Sequence, residues 1–389
     1  MYKILTLNNI SPVGLAKLPS EDYQVSEDET SPDGIILRSF KMHDMEIPSS
    51  LKVVGRAGAG VNNIPLEKMS AAGIPVFNAP GANANAVKEL VIASLFMAAR
   101  NISQAVQYTE GLTGEDDELS KLVEVGKKKY AGYELPGKTI GVVGLGAIGR
   151  MVANTCIELG MNVVGYDPGL TVDGAWYLSS TIERANNIDE MLKKVDFLTV
   201  HVPLIDATRD LINSDNVKKM KATAVVINLA RGGIVNDAAV CDAIDAGKLA
   251  NYVTDFPNNR TKQTPQVINL PHLGASTVEA EDNCAVMVAE QIKDYLENGN
   301  IKNSVNFPDV SMPKGSPYRL VVCNANVPNM VGQISTVMAQ ADLNIHDMIN
   351  KSLGDIAYTI VDLDSRISED VLQTIKQLKG VMIARAIQA

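Results

Sequence analysis

A glycine-rich turn constrains this chain more than any other feature of its sequence. The segment "GVVGLGAIGR", residues 141–150, gives up three side chains within six positions, at Gly144, Gly146 and Gly149. Glycine costs backbone entropy in an ordered element, so these positions must need a backbone conformation or a close approach that a side chain would prevent. A β-branched run leads into the turn, and apolar residues follow it at helical spacing from Ile148. The sequence therefore predicts a strand that passes through a tight turn directly into a helix.

Short apolar runs alternate with helical patterns in two stretches of the chain. The first stretch includes "GIILRS" (34–39) and "LKVVGRA" (51–57), and the second extends from "TIGVVGL" (139–145) to "VINLPHL" (267–273). Such strands, separated by helices, are typical of parallel sheets that are covered on both faces. We expect two doubly wound α/β domains, one flavodoxin-like and one Rossmann-type, with a long helix over 84–102 between the two series.

The pattern changes after residue 301. Residues 302–318 contain three prolines and no helical period, which predicts a linker. Residues 319–389 carry two strand signals, "RLVVCNA" and "YTIVDL", and two helical stretches. This order predicts a small ferredoxin-like βαββαβ module.

Composition and charge narrow the classes of partner. The chain has 389 residues and a formal net charge of −10, which argues against a nucleic-acid or membrane partner. Its four cysteines lack a CxxC spacing, so we expect reduced thiols and no metal site. The run "LVIASLFMAA" is about half as long as a bilayer requires. The first residues predict a strand rather than a signal peptide, so we expect a cytoplasmic protein.

An acidic residue lies at the distance that a dinucleotide site requires. Asp167 ends the next predicted strand, 18 residues after Gly149, which is the spacing at which a carboxylate reaches an adenosine ribose. The N–H groups at the start of the helix would bind a pyrophosphate. A carboxylate accepts hydrogen bonds from ribose hydroxyls and repels a 2′-phosphate. The sequence therefore predicts NAD as cofactor rather than NADP.

Two further strands end in residues suited to chemistry. Arg231 follows one strand in "NLARGGIVND", and His272 follows another in "PHLGAST". Ligands of open parallel sheets bind beyond the carboxyl ends of the strands. Histidine titrates near neutral pH and can accept a proton, and a guanidinium can bind a carboxylate in bidentate fashion. Without this context, a salt-bridged surface arginine and a capping histidine would be the simpler interpretations.

The motifs "GKTIGVVGLGAIGR", "VVGYDP", "NLARGGIVN" and "PHLGAST" together resemble the D-isomer-specific 2-hydroxyacid dehydrogenases, over nearly all of residues 1–300. The resemblance implies that Arg231 binds the substrate carboxylate and carbonyl, that His272 is the acid/base, and that Asp255 binds the nicotinamide carboxamide. The backbone N–H groups of Gly58, Ala59 and Gly60 would bind the substrate carboxylate. The candidate cofactor contacts are Gly144, Gly146, Ala147, Ile148, Asp167, Ala230, Asp255 and Gly274.

Within this family, "LRS" (37–39), "GRAGAGVNNI" (55–64) and the attached tail resemble the members that oxidise D-3-phosphoglycerate to 3-phosphohydroxypyruvate, the first step of serine synthesis. Arg38 and Arg56 are then the candidates for binding the phosphate. The resemblance also implies a homodimer or homotetramer. It implies a substrate-binding domain at 1–95 and 275–301, an NAD-binding domain at 96–274, a linker at 302–318, and an ACT-like regulatory domain at 319–389.

The tail resembles ACT domains, which bind amino acids, in "NANVPNM" and "LNI". Asn324, Asn326 and Asn344 are the possible regulatory residues, and serine is the possible effector. Asn329 replaces a family glycine, so we expect a positive φ there, which asparagine tolerates better than most residues. The alternative is a module that serves assembly alone.

One departure from the family concerns its catalytic Glu. The stretch "DFPNNRTKQTP" contains no carboxylate between Asp255 and His272, and Asn258 or Asn259 occupies the place. A neutral amide could orient the imidazole but could not stabilise its charged form. Either His272 works without a paired charge, or another carboxylate supplies it, or Lys262 takes part in proton transfer.

Two alternative functions remain open from the sequence. The first is another D-2-hydroxyacid dehydrogenase, such as a hydroxypyruvate or glyoxylate reductase. The second is a non-catalytic, NAD-sensing binding protein built on the same fold.

Overall fold

Two parallel sheets and one antiparallel sheet organise residues 1–388, the part of the chain that the computed structural model describes. The chain divides into two units, Met1–Asn83 with Val278–Ala389, and Ala84–Thr277. The predicted α/β class is confirmed, including the separate C-terminal sheet. No helix among these residues is both long and apolar enough to cross a membrane.

The N-terminal segment of the first unit forms a five-stranded parallel sheet. Its elements are β1 (Tyr2–Leu7), α1 (Pro12–Leu15), β2 (Tyr23–Ser26), β3 (Gly34–Leu37), β4 (Val53–Arg56), α2 (Leu66–Ala71) and β5 (Val76–Phe77). The strand order β2-β1-β3-β4-β5 is that of a flavodoxin-like sheet. Strand β2, "YQVS", has a single buried residue, and its polar edge position explains why hydrophobic patterning does not predict it.

The second unit is built on a seven-stranded parallel sheet. Its elements are α3 (Ala84–Ala99), α4 (Ile102–Glu110), α5 (Asp116–Gly126), a 3-10 turn (Lys127–Tyr130), β6 (Thr139–Val143), α6 (Ala147–Glu158), β7 (Asn162–Tyr166), α7 (Val172–Ala175), β8 (Glu183–Arg184), α8 (Ile188–Lys194), β9 (Phe197–Val200), a second 3-10 turn (Val217–Lys219), β10 (Val225–Asn228), α9 (Asp237–Asp245), β11 (Asn251–Thr254), α10 (Asn259–Gln263) and β12 (Val267–Asn269).

In the strand order β12-β11-β10-β9-β6-β7-β8, the chain first adds β7 and β8 on one side of β6 and then adds β9 to β12 on the other side. The switch point therefore lies between β6 and β9. This is the Rossmann arrangement, in which ligands bind at the switch point. The predicted helix over 84–102 is too long, since α3 ends at Ala99. Asn101 adopts a left-handed φ of 50°, which separates α3 from α4.

The C-terminal part of the first unit begins with a long helix and continues into the antiparallel sheet. Its elements are α11 (Val278–Asn298), β13 (Tyr318–Ala325), α12 (Met330–Gln340), β14 (Ile345–Leu353), β15 (Ile356–Leu363), α13 (Glu369–Lys376) and β16 (Val381–Gln388). The strand order β14-β15-β13-β16, with antiparallel pairing throughout, confirms the predicted ferredoxin-like module.

The predicted linker 302–318 forms no helix or regular strand before Tyr318, where β13 begins, but it is packed rather than solvated. Phe307, Val310 and Met312 are buried in a core that the sheet of the N-terminal segment, α11 and the antiparallel sheet share. Side chains of the antiparallel sheet also bind the last carbonyls of α11. Arg319 Nη1 donates to Asn298 O at 2.9 Å, and Arg385 Nη1 donates to Leu296 O at 2.9 Å.

Candidate functional site

The glycine turn after β6 closes as the sequence predicts. Gly144 has a φ of 86°, and a Cβ there would lie 2.5 Å from the carbonyl oxygen of His201. A Cβ at Gly149 would collide with the carbonyl oxygen of Gly144, so this glycine permits the close approach of helix and strand. Helix α6 begins at Ala147, and its N-cap residue, Gly146, has no side chain that could cap it. The first turn of the helix contains no acidic residue. Its first N–H groups are therefore suited to an anion.

The carboxylate of Asp167 is fixed beside this turn. The Leu145 amide donates to its Oδ2 at 2.8 Å, and the Gly169 amide donates to its Oδ1 at 2.8 Å. Each carboxylate oxygen retains a further lone pair for another donor. A Cβ at Gly146 would meet no described atom within 4 Å, so the turn has open space in front of it. This geometry fits the ribose and pyrophosphate of a dinucleotide.

Asn228 supports the loop that carries Arg231. This residue ends β10 and is 1% exposed. Its Nδ2 donates to the Arg231 carbonyl at 3.0 Å, and its Oδ1 accepts from the Ala230 amide at 3.2 Å. The Arg231 side chain is exposed and donates to the Ala230 carbonyl at 2.7 Å. The sequence analysis did not select Asn228, although a polar residue that ends an apolar strand is a signal for such a role.

Asp255 directly follows β11, and only one oxygen of its buried carboxyl group accepts a hydrogen bond among the described residues. It is 1% exposed, and its Oδ2 accepts from the Gly274 amide at 3.2 Å. Its Oδ1 is buried without a hydrogen-bond partner among the described residues. Burial raises the pKa of Asp255, while the Gly274 amide and the charges of His272 and Arg231 oppose the rise. A buried acceptor of this kind fits a ligand donor such as a carboxamide N–H.

His272 lies directly beside the backbone of Asp255 in the fold. Its amide donates to the Asp255 carbonyl at 3.1 Å, and its backbone adopts a left-handed φ of 51°. The imidazole is exposed and packs on Phe256, with ring centroids 5.0 Å apart. Within residues 1–388, no ion pair joins the imidazole to a carboxylate. The structure therefore supplies no direct replacement for the family's Glu.

Asn258, one of the two amides at the place of that Glu, has a different role. Its Oδ1 accepts from the amides of Arg260 and Thr261, at 2.9 and 3.0 Å, and so caps α10. Its Nδ2 donates to Asp237 Oδ2 at 2.6 Å. The idea that this amide orients His272 is therefore wrong for Asn258. Lys262, on the same short helix, is exposed.

His201 follows β9 and is enclosed beside the glycine turn. Its Nε2 lies 3.0 Å from Thr199 Oγ1, and its Nδ1 is buried without a partner among the described residues. Burial lowers the pKa of this imidazole to about 4. His201 is therefore neutral near pH 7, which agrees with a structural role rather than proton transfer.

The first unit brings the two candidate phosphate ligands together. Arg56 Nε donates to the Arg38 carbonyl at 3.0 Å, because β3 and β4 are paired and both residues lie at the strand ends. A Cβ at Gly58 would lie 2.7 Å from Arg56 Nη1, so the backbone of this loop packs closely against the guanidinium group. Arg38 Nη1 lies 2.6 Å from Glu281 Oε1 on α11. Nothing in the sequence analysis pointed to Glu281, because the contact joins distant segments.

The loop that follows β4 presents the candidate carboxylate ligands. The Gly58 carbonyl accepts from the Ala79 amide at 3.0 Å, and the Ala59 carbonyl accepts from Asn78 Nδ2 at 2.6 Å. Gly60 follows as a partly buried residue. The carbonyls of this loop are thus used to hold it in place.

In the C-terminal module, Asn324 and Asn326 lie at one end of the sheet, and Asn344 lies apart from them. Asn324 is buried, donates to the Ala325 carbonyl at 2.7 Å and leaves its Oδ1 without a partner among the described residues. Asn326 donates to the Gly354 carbonyl at the β14–β15 turn. Asn344 donates to Asp364 at the other end of that hairpin. Asn329 has a φ of 67°, which confirms the expected left-handed backbone.

Comparison with known proteins agrees with this arrangement. Residues 92–274 match the family model "D-isomer specific 2-hydroxyacid dehydrogenase, NAD binding domain". The D-3-phosphoglycerate dehydrogenase of Escherichia coli is 30% identical over 349 residues, 86% of this chain and 81% of that protein. The protein of the same name from Methanocaldococcus jannaschii is 37% identical over 331 residues, 83% of this chain and 59% of its own length.

The chain spans 56–64% of the length of the relatives from M. jannaschii, Archaeoglobus fulgidus and a Synechocystis species. Among solved structures, the NAD+-bound 3-phosphoglycerate dehydrogenase of Entamoeba histolytica has the same fold, with a TM-score of 0.62. It is 24% identical, and the match covers 78% of this chain and 98% of that one. The chain belongs to the D-isomer-specific 2-hydroxyacid dehydrogenase family.

Proposed function

We propose that this protein is an NAD-dependent dehydrogenase that oxidises D-3-phosphoglycerate to 3-phosphohydroxypyruvate, the first step of serine synthesis, in the cytoplasm. The observation that carries the proposal is the arrangement at the ends of β10, β11 and β12. Arg231, the buried carboxyl group of Asp255, and His272 follow these three neighbouring strands in turn. The names of the relatives from E. coli and M. jannaschii support the choice of substrate.

The residues around the glycine turn would hold the cofactor. The N–H groups at the start of α6 suit the pyrophosphate, and the Asp167 carboxylate suits the ribose hydroxyls. The unpartnered Oδ1 of Asp255 suits the carboxamide of the nicotinamide. Bound NAD would supply the acceptor for a hydride.

His272 and Arg231 would handle the proton and the carboxylate of the substrate. In the oxidative direction, the His272 imidazole takes the proton of the 2-hydroxyl group, as a general base does. The Arg231 guanidinium binds the carboxylate and polarises the carbonyl group that forms. Asn228 would act as a positioning residue, because it holds the backbone on both sides of this arginine. No carboxylate is paired with the imidazole among the described residues, so the proton transfer relies on His272 alone.

Arg38 and Arg56 would bind the phosphate of the substrate, and the N–H groups of Ala59 and Gly60 its carboxylate. The Gly58 amide donates to the Arg56 carbonyl at 2.8 Å, so the contact expected from Gly58 is not part of the proposal. The Arg56 guanidinium donates to the Arg38 backbone, and the two residues lie at the ends of the paired strands β3 and β4. A phosphate accepts charge-assisted hydrogen bonds from such a pair. This site would separate a phosphorylated substrate from glyoxylate or hydroxypyruvate.

We also propose that residues 319–389 form an ACT-like regulatory module and that the chain assembles into a homodimer or homotetramer. The ferredoxin-like strand order supports the first proposal. Inhibition by serine, with a weaker effect in Asn324→Ala, would support it further. A chain that binds no amino acid would leave the module with a structural role.

The proposed function is tested by the oxidation of NADH with 3-phosphohydroxypyruvate and, separately, with glyoxylate. Arg38→Ala or Arg56→Ala should weaken use of the phosphorylated substrate by about 1.5–3 kcal/mol, the range for hydrogen bonds to charged groups. Neither change should affect glyoxylate to that extent. Lys17→Ala, which removes a cation from an exposed ion pair in the same unit, is the control.

Equal losses on both substrates would mean that the two arginines only stabilise their sheet. A wild-type protein that prefers glyoxylate or hydroxypyruvate would instead be another reductase of the family. A protein that binds NADH and reduces none of these substrates would be a non-catalytic NAD-sensing protein.

A further inference from the structure

Glu281 places a negative charge on the guanidinium group of Arg38. Glu281 belongs to the first turn of α11, and its Oε1 lies 2.6 Å from Arg38 Nη1. The two side chains are 44% and 37% exposed, so the pair is open to solvent on one side. Exposed pairs of this kind are weak, and a guanidinium has five N–H donors. An anion can therefore bind Arg38 while Glu281 stays in place.

Three charged groups converge at this point of the first unit. Arg56 Nε donates to the backbone carbonyl of Arg38, so the second guanidinium lies against the backbone of the residue that pairs with Glu281. The thiol of Cys284, one turn further along α11, is influenced by all three charges. Burial raises the pKa of Cys284, the two arginines oppose the rise, and Glu281 adds to it. The two guanidinium groups and the Glu281 carboxylate thus lie close to one another in the first unit.

We propose that Glu281 is a specificity-determining residue that lowers the affinity of the Arg38–Arg56 cluster for a phosphoryl group by direct charge repulsion. The inference rests on the proposed function, because it takes this cluster as the phosphate site. A phosphate bound to Arg38 would lie within the width of one guanidinium group from the Glu281 carboxylate. The carboxylate therefore sets how strongly the site prefers a phosphorylated substrate.

The conservative substitution Glu281→Gln should raise the affinity of the site for phosphate. Glu281→Gln keeps an acceptor oxygen for Arg38 and removes one negative charge from beside its guanidinium group. A unit charge in a largely solvated site changes an affinity by about three- to tenfold. We expect a gain, and damage to the fold would give a loss instead.

Glu279→Gln is the matched control. Glu279 lies in the same turn of α11, is exposed, and forms no ion pair among the described residues. Its substitution removes the same charge from the same helix. A specific effect of Glu281 therefore appears as a difference between the two variants.

The experiment measures two quantities for the wild type and both variants. The first is the ratio of kcat/KM for 3-phosphohydroxypyruvate to kcat/KM for hydroxypyruvate, and the second is the Kd of inorganic phosphate from thermal melting. Glu281→Gln should raise the ratio and lower the Kd, each by about three- to tenfold, whereas Glu279→Gln should change neither. An unchanged Kd in Glu281→Gln, or an equal change in Glu279→Gln, would overturn the inference.

The two measurements separate this inference from the function on which it rests. If the wild type does not use 3-phosphohydroxypyruvate, the proposed function fails whatever the variants do. The Kd of inorganic phosphate then still reports whether Glu281 weakens an anion site at the two arginines. A tighter Kd without a higher kinetic ratio would overturn the claim of substrate specificity.

Discussion

Asn258 Nδ2 donates a hydrogen bond to Asp237 Oδ2 at 2.6 Å. The other polar atom of the same amide, Oδ1, accepts from the first amides of α10. Asn258 stands in the region where the family has a catalytic carboxylate, but its amide caps α10 and binds Asp237. We therefore expect that the proposed proton transfer by His272 does not depend on Asn258.

Asn258→Ala should accordingly affect stability more than catalysis. The loss of the cap should lower the free energy of unfolding by about 0.5–2 kcal/mol. The value of kcat should remain within about a factor of three, far from the 10²–10⁴-fold effect of general acid/base catalysis. Urea unfolding and steady-state kinetics measure both, with the cap of α8, Asn187→Ala, as the control. A large loss of kcat at unchanged stability would return Asn258 to the active site.

Asn228→Ala should damage the site through Arg231. The substitution leaves the Ala230 amide and the Arg231 carbonyl without a bond, which costs about 1–3 kcal/mol of stability. Displacement of the guanidinium should lower kcat/KM by about 10²-fold. Asn162→Ala, which removes an exposed asparagine bonded to the Gly137 carbonyl, is the control. Normal kinetics in Asn228→Ala would show that Arg231 needs no such support.

Asp167 should determine the choice between the two nicotinamide cofactors. Asn at this position keeps an acceptor but loses the charge that repels a 2′-phosphate. Asp167→Asn should therefore reduce the preference for NADH over NADPH by about tenfold, as expected for one unit charge. The ratio of kcat/KM for the two cofactors measures this preference, with the exposed Asp173→Asn as the control. Equal use of both cofactors by the wild type would contradict the prediction.

His201 should make the fold sensitive to acid. Burial lowers its pKa to about 4 in the folded chain, whereas an unfolded histidine titrates near 6.5. The unfolded state therefore takes up the proton first, and stability decreases as the pH falls from about 6.5 to about 4. His201→Asn should remove about 1–3 kcal/mol of the loss measured by urea unfolding between pH 7 and pH 4. If the exposed His43→Asn removed as much, burial of His201 would not be the cause.

The sequence predicts the parts of this fold that depend on local patterns. Both parallel sheets, the ferredoxin-like tail and the glycine turn follow from hydrophobic periodicity and glycine chemistry. The left-handed backbone of Asn329 is expected from the resemblance, because Asn329 replaces a family glycine. Strand β2 does not, because it lies at a sheet edge and is mostly polar. The segment 302–318 has a linker's composition, but its apolar residues are buried by tertiary packing.

The candidate site shows the same division. Motif spacing places Arg231, His272 and Asp255 at strand ends, which is where the structure has them. The supporting contacts of Asn228 and Asn258 depend on side-chain geometry, and the contact of Glu281 with Arg38 joins segments far apart in the chain. Periodicity and motif spacing carry no information on such pairs.

The central claim is that His272 is the acid/base of an NAD-dependent dehydrogenase. The most direct measurement is the rate of NADH oxidation with saturating 3-phosphohydroxypyruvate in the wild type, His272→Ala and Lys262→Ala. We expect His272→Ala to lower kcat by about 10²–10⁴-fold, and Lys262→Ala to lower it by less than about tenfold. A severe loss in Lys262→Ala with only a mild loss in His272→Ala would contradict the account and assign the proton transfer to the lysine.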